Sequence, residues 1–153
     1  MRFIKAYEKK EAFLNLATLY AYEASISIPE LGKDIDENGK LEIPGVRRFL
    51  EEDSEAYVIM EGAKAIGIVG FTKVNETVWM MDEIFVAKTF RTQEVMDGLL
   101  DFFLKEKQCT FKTHILKCQK DVCLQFENHF PTVNKTELDP IAWKYSVEIT
   151  KAC

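Results

Sequence analysis

The chain has little of what marks several large classes of protein. Its two histidines and four cysteines are sparse among 153 residues. Cys109, Cys118, Cys123 and Cys153 form no Cys-x-x-Cys pair, so no disulfide framework is apparent, and free thiols in a reducing cytoplasm are the simplest expectation. A zinc site from Cys118, Cys123, His114 and His129 would need a spacing that matches no usual ligand pattern, so no metal is expected. Basic residues are outnumbered, with Lys and Arg totalling 20 against 25 Asp and Glu, for a net charge of −5. Phosphate backbones need a basic footprint, so nucleic acid is excluded as the main partner. No apolar run approaches bilayer-spanning length. Residues 1–10 are charged and lack the apolar core of a signal peptide. A cytoplasmic location with no membrane partner is expected. No internal repeat, low-complexity segment or linker is visible.

What is present is ordinary globular material, 47% hydrophobic and 29% charged, in a length that fits one domain with one sizeable core. Residues 2–6 read as a short strand. Residues 8–24 read as a helix with Phe13, Leu16, Ala17, Tyr20 and Ala24 on one face. Residues 25–41 carry Pro29, Gly32, Gly39 and the acidic run Asp34-Ile35-Asp36-Glu37, which predicts a long loop of the kind that often serves function. Pro44 suits the first turn of a second helix that buries Val46, Phe49 and Leu50. Residues 56–61, 65–73 and 78–87 predict three strands joined by short turns, hence antiparallel. Residues 92–107 predict a helix that buries Val95, Met96, Leu99, Leu100 and Phe103. Residues 112–118 predict a strand which, reached through a helical crossover, runs parallel to 78–87. A short helix over 121–129 and a last strand over 141–149 complete the chain, after a turn near Asp139-Pro140. The fold class is α/β (α+β), with about six strands and about four helices.

The stretch from residue 78 to 106 is the most specific. An apolar strand, a short turn with an Arg, and an amphipathic helix follow one another. Such a helix start leaves free backbone N–H groups that attract anions, among them the phosphates of a nucleotide or of coenzyme A. The frame is Ile84-Phe85-Val86, then Arg91-Thr92-Gln93-Glu94-Val95-Met96. It resembles the acyl-CoA-binding core of the GNAT superfamily of N-acetyltransferases, in which an apolar-apolar-Val step precedes Arg/Gln-x-x-Gly-x-Gly/Ala at the helix start. Arg91 matches that pattern, and Glu94 and Met96 replace its two small residues. The N-terminal half resembles one GNAT subgroup. Leu19-Tyr20-Ala21-Tyr22-Glu23-Ala24-Ser25 fits Leu-Tyr-x-Tyr-acid-x-Ser, and Asp34-Ile35-Asp36-Glu37-Asn38-Gly39 fits Asp-x-Asp-x-x-Gly. The resemblance covers nearly the whole chain. It implies a single acetyltransferase domain with a mixed, mostly antiparallel sheet in the order β-α-α-β-β-β-α-β-α-β.

The resemblance also implies roles. The backbone of Ile84, Phe85 and Val86, exposed by a splay in the sheet, would pair with the pantetheine arm of acetyl-CoA, and a backbone N–H near Val86 would face the thioester oxygen. Read alone, these three are plain core residues. Arg91 would sit beside the pyrophosphate, with helix-start amides from Thr92, Gln93, Glu94, Val95 and Met96; read alone, Arg91 is an exposed Arg at a helix start. Glu94 suits the helix macrodipole but competes with phosphate. Two like charges ~4 Å apart at an effective dielectric of ~20 repel by roughly 4 kcal/mol. Glu83, in an otherwise apolar strand, would be the general base that takes a proton from the amine; the other reading is a carboxylate paired with a Lys or Arg. Phe126 stands where many relatives carry a Tyr that protonates the leaving thiolate. Tyr20, Tyr22 and the acidic loop would line the acceptor end, where an aromatic and acidic mouth suits a cationic amine; otherwise Tyr20 is core and the loop is solvated. The function implied is acetyl transfer from acetyl-CoA to a primary amine of a small molecule or protein. The alternative is a GNAT-fold binding or regulatory module without catalysis, motivated by Glu94, Met96 and Phe126. Edge strands could mediate a homodimer.

Overall fold

The structure is a computed structural model that describes residues 1–150. Cys153 lies outside the described residues. Seven strands form one sheet: β1 (Arg2–Lys5), β2 (Glu55–Glu61), β3 (Lys64–Asn75), β4 (Val78–Val86), β5 (Cys109–Leu116), β6 (Asn134–Asp139) and β7 (Ala142–Ile149), in the order β1-β2-β3-β4-β5-β7-β6. Three α-helices are described, α1 (Lys10–Ser27), α2 (Gln93–Leu104) and α3 (Lys120–His129), with four short 3-10 turns. β1 and β2, β5 and β7, and β6 and β7 pair antiparallel. β4 and β5 pair parallel, from Val78 opposite Thr110 to Met81 opposite Thr113, as the crossover through α2 requires. None of the described helices is long and apolar enough to cross a membrane.

The chain divides into two compact units. The first comprises Met1–Gly70 and Glu83–Ala87; the second comprises Phe71–Asp82 and the chain from Lys88 onward. In the first, Phe13, Leu16 and Ala17 of α1 join Val46, Phe49, Val58, Met60, Ile68 and Phe85 in one cluster. Gly70 is required there, because a Cβ would come within 2.7 Å of the Phe49 ring. In the second, Phe71, Trp79, Phe103, Phe111, Phe126, Phe130 and Tyr145 form a chain of ring contacts. Such contacts add to area burial.

Several expected boundaries move, each for a local reason. α1 starts two residues later than predicted, because Ala6–Glu8 makes a 3-10 turn, and runs to Ser27, just before Ile28-Pro29. The residue before a proline disfavours helix. Ala21 is in its buried stripe and Tyr20 is half-buried. The helix predicted from Pro44 is only a 3-10 turn, Val46–Leu50. Gly45 follows Pro44 in the left-handed region, with φ 79°, and so breaks the helical path. β5 begins at Cys109, three residues before the predicted 112, because Cys109 and Phe111 are buried. β6 was not foreseen as a strand, giving seven where about six were expected. Its six residues, Asn-Lys-Thr-Glu-Leu-Asp, are all exposed, and an edge strand held by backbone pairing and by the ion pairs of Lys135 with Glu127 and Glu137 with Lys117 carries no apolar alternation. Val95 is half-buried, not core.

Candidate functional site

In the first unit, the site residues are set by backbone packing. Ile84, Phe85 and Val86 are each 7–8% exposed and Glu83 is half-buried. Gly67 of β3 faces them. A Cβ there would lie 2.5 Å from the Phe85 carbonyl oxygen and 3.2 Å from the Val86 Cα. Any side chain at 67 would therefore displace the backbone of this stretch. Past the strand end, the Ala87 N–H donates to the Ile66 carbonyl at 2.7 Å. Tyr20 packs its ring on Phe85, centroids 6.0 Å apart and tilted by 60°.

Tyr22 is exposed, and its hydroxyl donates to the Gly39 carbonyl of the acidic loop. Asp36 closes that loop on itself: its Oδ1 accepts from the backbone N–H of Asn38 and of Lys40, at 2.8 and 2.9 Å. Gly39 supplies the positive φ, 76°, that the turn needs. One of the acidic side chains is thus structural, and Tyr22 ties the loop to α1.

In the second unit, the site residues are set by side chains. Thr92 is the N-cap of α2, and its Oγ1 accepts from the Val95 N–H at 3.3 Å. The Met96 N–H donates to the Thr92 carbonyl and the Thr92 N–H to the Phe90 carbonyl. Of the five amides expected to serve an anion, those of Gln93 and Glu94 are the helix-start donors left over. The Gln93 side chain turns to α3: its Nε2 donates to the Gln125 carbonyl at 2.8 Å and to Asp97 Oδ1 at 2.9 Å. Glu94 is exposed, and Met96 packs inward at 3% exposure. The Arg91 side chain is only 6% exposed, with Nη1 3.3 Å from Asp121 Oδ2. Asp82 accepts a hydrogen bond from Thr72 Oγ1.

Phe126 is fully buried among Phe111, Phe130 and Tyr145, so it is core. Next to it, the Tyr145 hydroxyl donates to Glu127 Oε2 at 3.0 Å, and burial, with hydrogen bonds to Cys123 and Glu127, raises its pKa well above the phenol range. Burial also pushes the Cys123 thiol up, which disfavours the thiolate that a nucleophile needs. Asp97 is held below the usual carboxylate range by hydrogen bonds from Gln93 and then His129, the latter through Nδ1 at 2.7 Å. Among the described residues, no three His, Cys, Asp or Glu side chains gather to hold a metal ion.

Asp121 and Gln125 were not foreseen. The available signal is the row of polar residues Asp121, Gln125, Asn128 and His129 on a short helix, at spacings of three and four that put them on one side.

No family model matches the chain, and no curated protein matches it in sequence. Solved structures do match in fold. An acetyltransferase of the GNAT family from Bacillus cereus is 13% identical, with a TM-score of 0.63 over 99% of this chain and 98% of that one. An aminoglycoside 6'-acetyltransferase type Ii is 14% identical, with a TM-score of 0.65 over 94% and 92%. The N-acetyltransferase PseH of Campylobacter jejuni, in complex with acetyl coenzyme A, is 11% identical, with a TM-score of 0.60 over 97% and 99%. At such identities the likeness establishes the GNAT acetyltransferase fold for this chain, and the chemistry has to be read from its own residues.

Proposed function

We propose that this chain is an acetyl-CoA-dependent N-acetyltransferase, acting in the cytoplasm as one domain on a primary amine. The observation that carries the reading is the close-packed end of β4. Gly67 leaves no side chain between itself and the backbone of Phe85 and Val86, and three GNAT-fold structures, one of them holding acetyl coenzyme A, match along 94–99% of the chain. In this reading the backbone of Ile84–Val86 pairs with the pantetheine arm and an N–H near Val86 stabilises the thioester oxygen as charge develops on it. These contacts do not depend on side-chain identity.

Glu83 takes the proton from the attacking amine, directly or through one water. The new N–C bond forms as the C–S bond breaks, and the thiolate leaves without help from Phe126. The thiol of coenzyme A is acidic enough for this to proceed. The amides of Gln93 and Glu94 with Arg91 receive the pyrophosphate, opposed by the Glu94 carboxylate. The coenzyme is therefore held weakly. One matched protein acts by name on aminoglycosides, and an amine of that small polyfunctional kind, or a protein amine, suits an end lined by Tyr20 and Tyr22.

The second reading, a GNAT-fold module that binds without transferring, draws support from one specific contact. Arg91 is engaged by Asp121, a carboxylate that competes with phosphate. Thiol release from acetyl-CoA, followed with a panel of primary amines, separates the two. Release that depends on an amine supports the enzyme. Coenzyme binding with no release from any amine supports the module.

A further inference from the structure

We infer that Gln125 is a positioning residue for the coenzyme, whose side-chain amide fixes the direction in which the first amides of α2 point. The inference rests on reading the start of α2 as the pyrophosphate site. Gln125 lies on α3, 32 residues from Gln93. Its Nε2 donates to the Arg91 carbonyl at 3.0 Å, and its own carbonyl accepts from Gln93 Nε2 at 2.8 Å. One bond therefore ties the Gln125 side chain to the last residue before the N-cap, and the other ties the Gln93 side chain, on the first residue of the helix, to the Gln125 backbone carbonyl. The Gln93 side chain has no polar group left over, since its second N–H goes to Asp97 and its Oε1 accepts from Asn128 Nδ2 at 3.3 Å, while its backbone N–H stays available.

The arrangement grips residues 91 and 93 on both sides of Thr92. With the cap bond from Val95 to Thr92 Oγ1, it determines the orientation of the whole first turn. The amides of Gln93 and Glu94 then have their direction set before any ligand arrives, which is the condition under which a helix start binds an anion well. The donors that do this are neutral amides, so salt does not screen them. Arg91 and Glu94, the charges that would meet phosphate, are sensitive to salt. A small displacement of such donors costs much in binding or rate.

The test is a pair of NMR titrations on the full chain, following the backbone amides of Gln93 and Glu94, with CoA and with pantetheine, which lacks the pyrophosphate. For the wild type, CoA shifts both amides and pantetheine shifts neither. Gln125→Met keeps the length of the side chain and removes the amide. It is expected to weaken CoA about tenfold and pantetheine less than twofold, a split that general loosening of the fold would not give. Asn128→Ala, an exposed change that keeps α3 intact, weakens CoA about twofold in the same selective way and covers the case in which Gln125→Met does not fold. CoA bound equally well by both variants and the wild type overturns the inference, as does equal weakening toward both ligands. Wild-type amides that ignore CoA overturn the coenzyme reading itself, and the inference with it.

Discussion

The last four residues of β4 and the first turn of α2 lie a few positions apart in sequence and are built on opposite principles. Glu83–Val86 is defined by backbone. Its shape depends on Gly67, whose missing side chain lets the Phe85 carbonyl come within 2.5 Å of where a Cβ would stand. The start of α2 is defined by side chains: Thr92 caps it, the Gln93 amide donates to the Gln125 backbone carbonyl on α3, the Gln125 amide donates to the Arg91 carbonyl, and Arg91 meets Asp121. A backbone site survives almost any substitution along its strand. A side-chain site changes character with each replacement. The fold shared with GNAT acetyltransferase structures therefore does not depend on which residues stand at positions 94 and 96, here Glu94 and Met96.

The largest effect is expected at Glu83, the side chain proposed as general base at the backbone-defined end. Glu83→Gln should lower kcat/KM by about 10²–10⁴, the usual worth of a positioned general base. CoA affinity should stay unchanged, because the proposed contacts are backbone groups of the residues that follow. The mutant should recover rate at high pH, where free amine needs no base. Unimpaired turnover at neutral pH would make Glu83 structural.

Gly67→Ala attacks the backbone directly. It should lower stability by about 1–3 kcal/mol, a fall in Tm on the order of 5 °C, because the added methyl overlaps backbone that cannot swing aside. Calorimetric melting checks this, and an unchanged Tm would show that β3 and β4 have room to separate.

The side-chain-defined end should respond in both directions. Arg91→Ala should loosen CoA by roughly tenfold, since it removes a charge-assisted contact. Glu94→Gly should tighten it by about fivefold, the scale of one exposed charge. Two null results would place the phosphates elsewhere.

The smallest effect is on acid stability. The folded-state pKa of Asp97 is depressed by the Gln93 hydrogen bond and by His129, so its contribution is present above the ordinary carboxylate pKa and is lost as pH falls through the folded value. Denaturant unfolding between pH 6 and pH 2.5 should show a shallower acid-side loss in Asp97→Asn than in the wild type. Equal slopes would mean that Asp97 does not sense Gln93.

Legibility in the sequence follows the same division. The apolar run ending at Ile84-Phe85-Val86 announces a buried strand, and the periodic helix after Arg91 announces a crossover, so the parallel pairing of β4 with β5 could be read beforehand. β6 could not, because an exposed edge strand such as Asn134–Asp139 is written in polar residues. Pro44 misled as a helix start because the left-handed Gly45 beside it outweighs the proline. At the start of α2, Glu94 lies in the first turn as expected, while Thr92, expected as the first helical residue, is the cap that precedes it. The commitments of Gln93 to α3 and of Arg91 to Asp121 reach 30 or more residues along the chain, and no local pattern encodes such partners. Phe126 was legible as the absence of a hydroxyl but not as a fully buried member of an aromatic cluster.

The claim on which the rest depends is that this fold still holds coenzyme A. Isothermal titration of the purified chain with CoA and acetyl-CoA measures it directly. Saturable binding of both is expected, weak enough that saturation needs on the order of millimolar ligand, and tighter in Glu94→Gly than in the wild type. Absence of any binding heat at millimolar CoA, in the wild type and in Glu94→Gly alike, would contradict it.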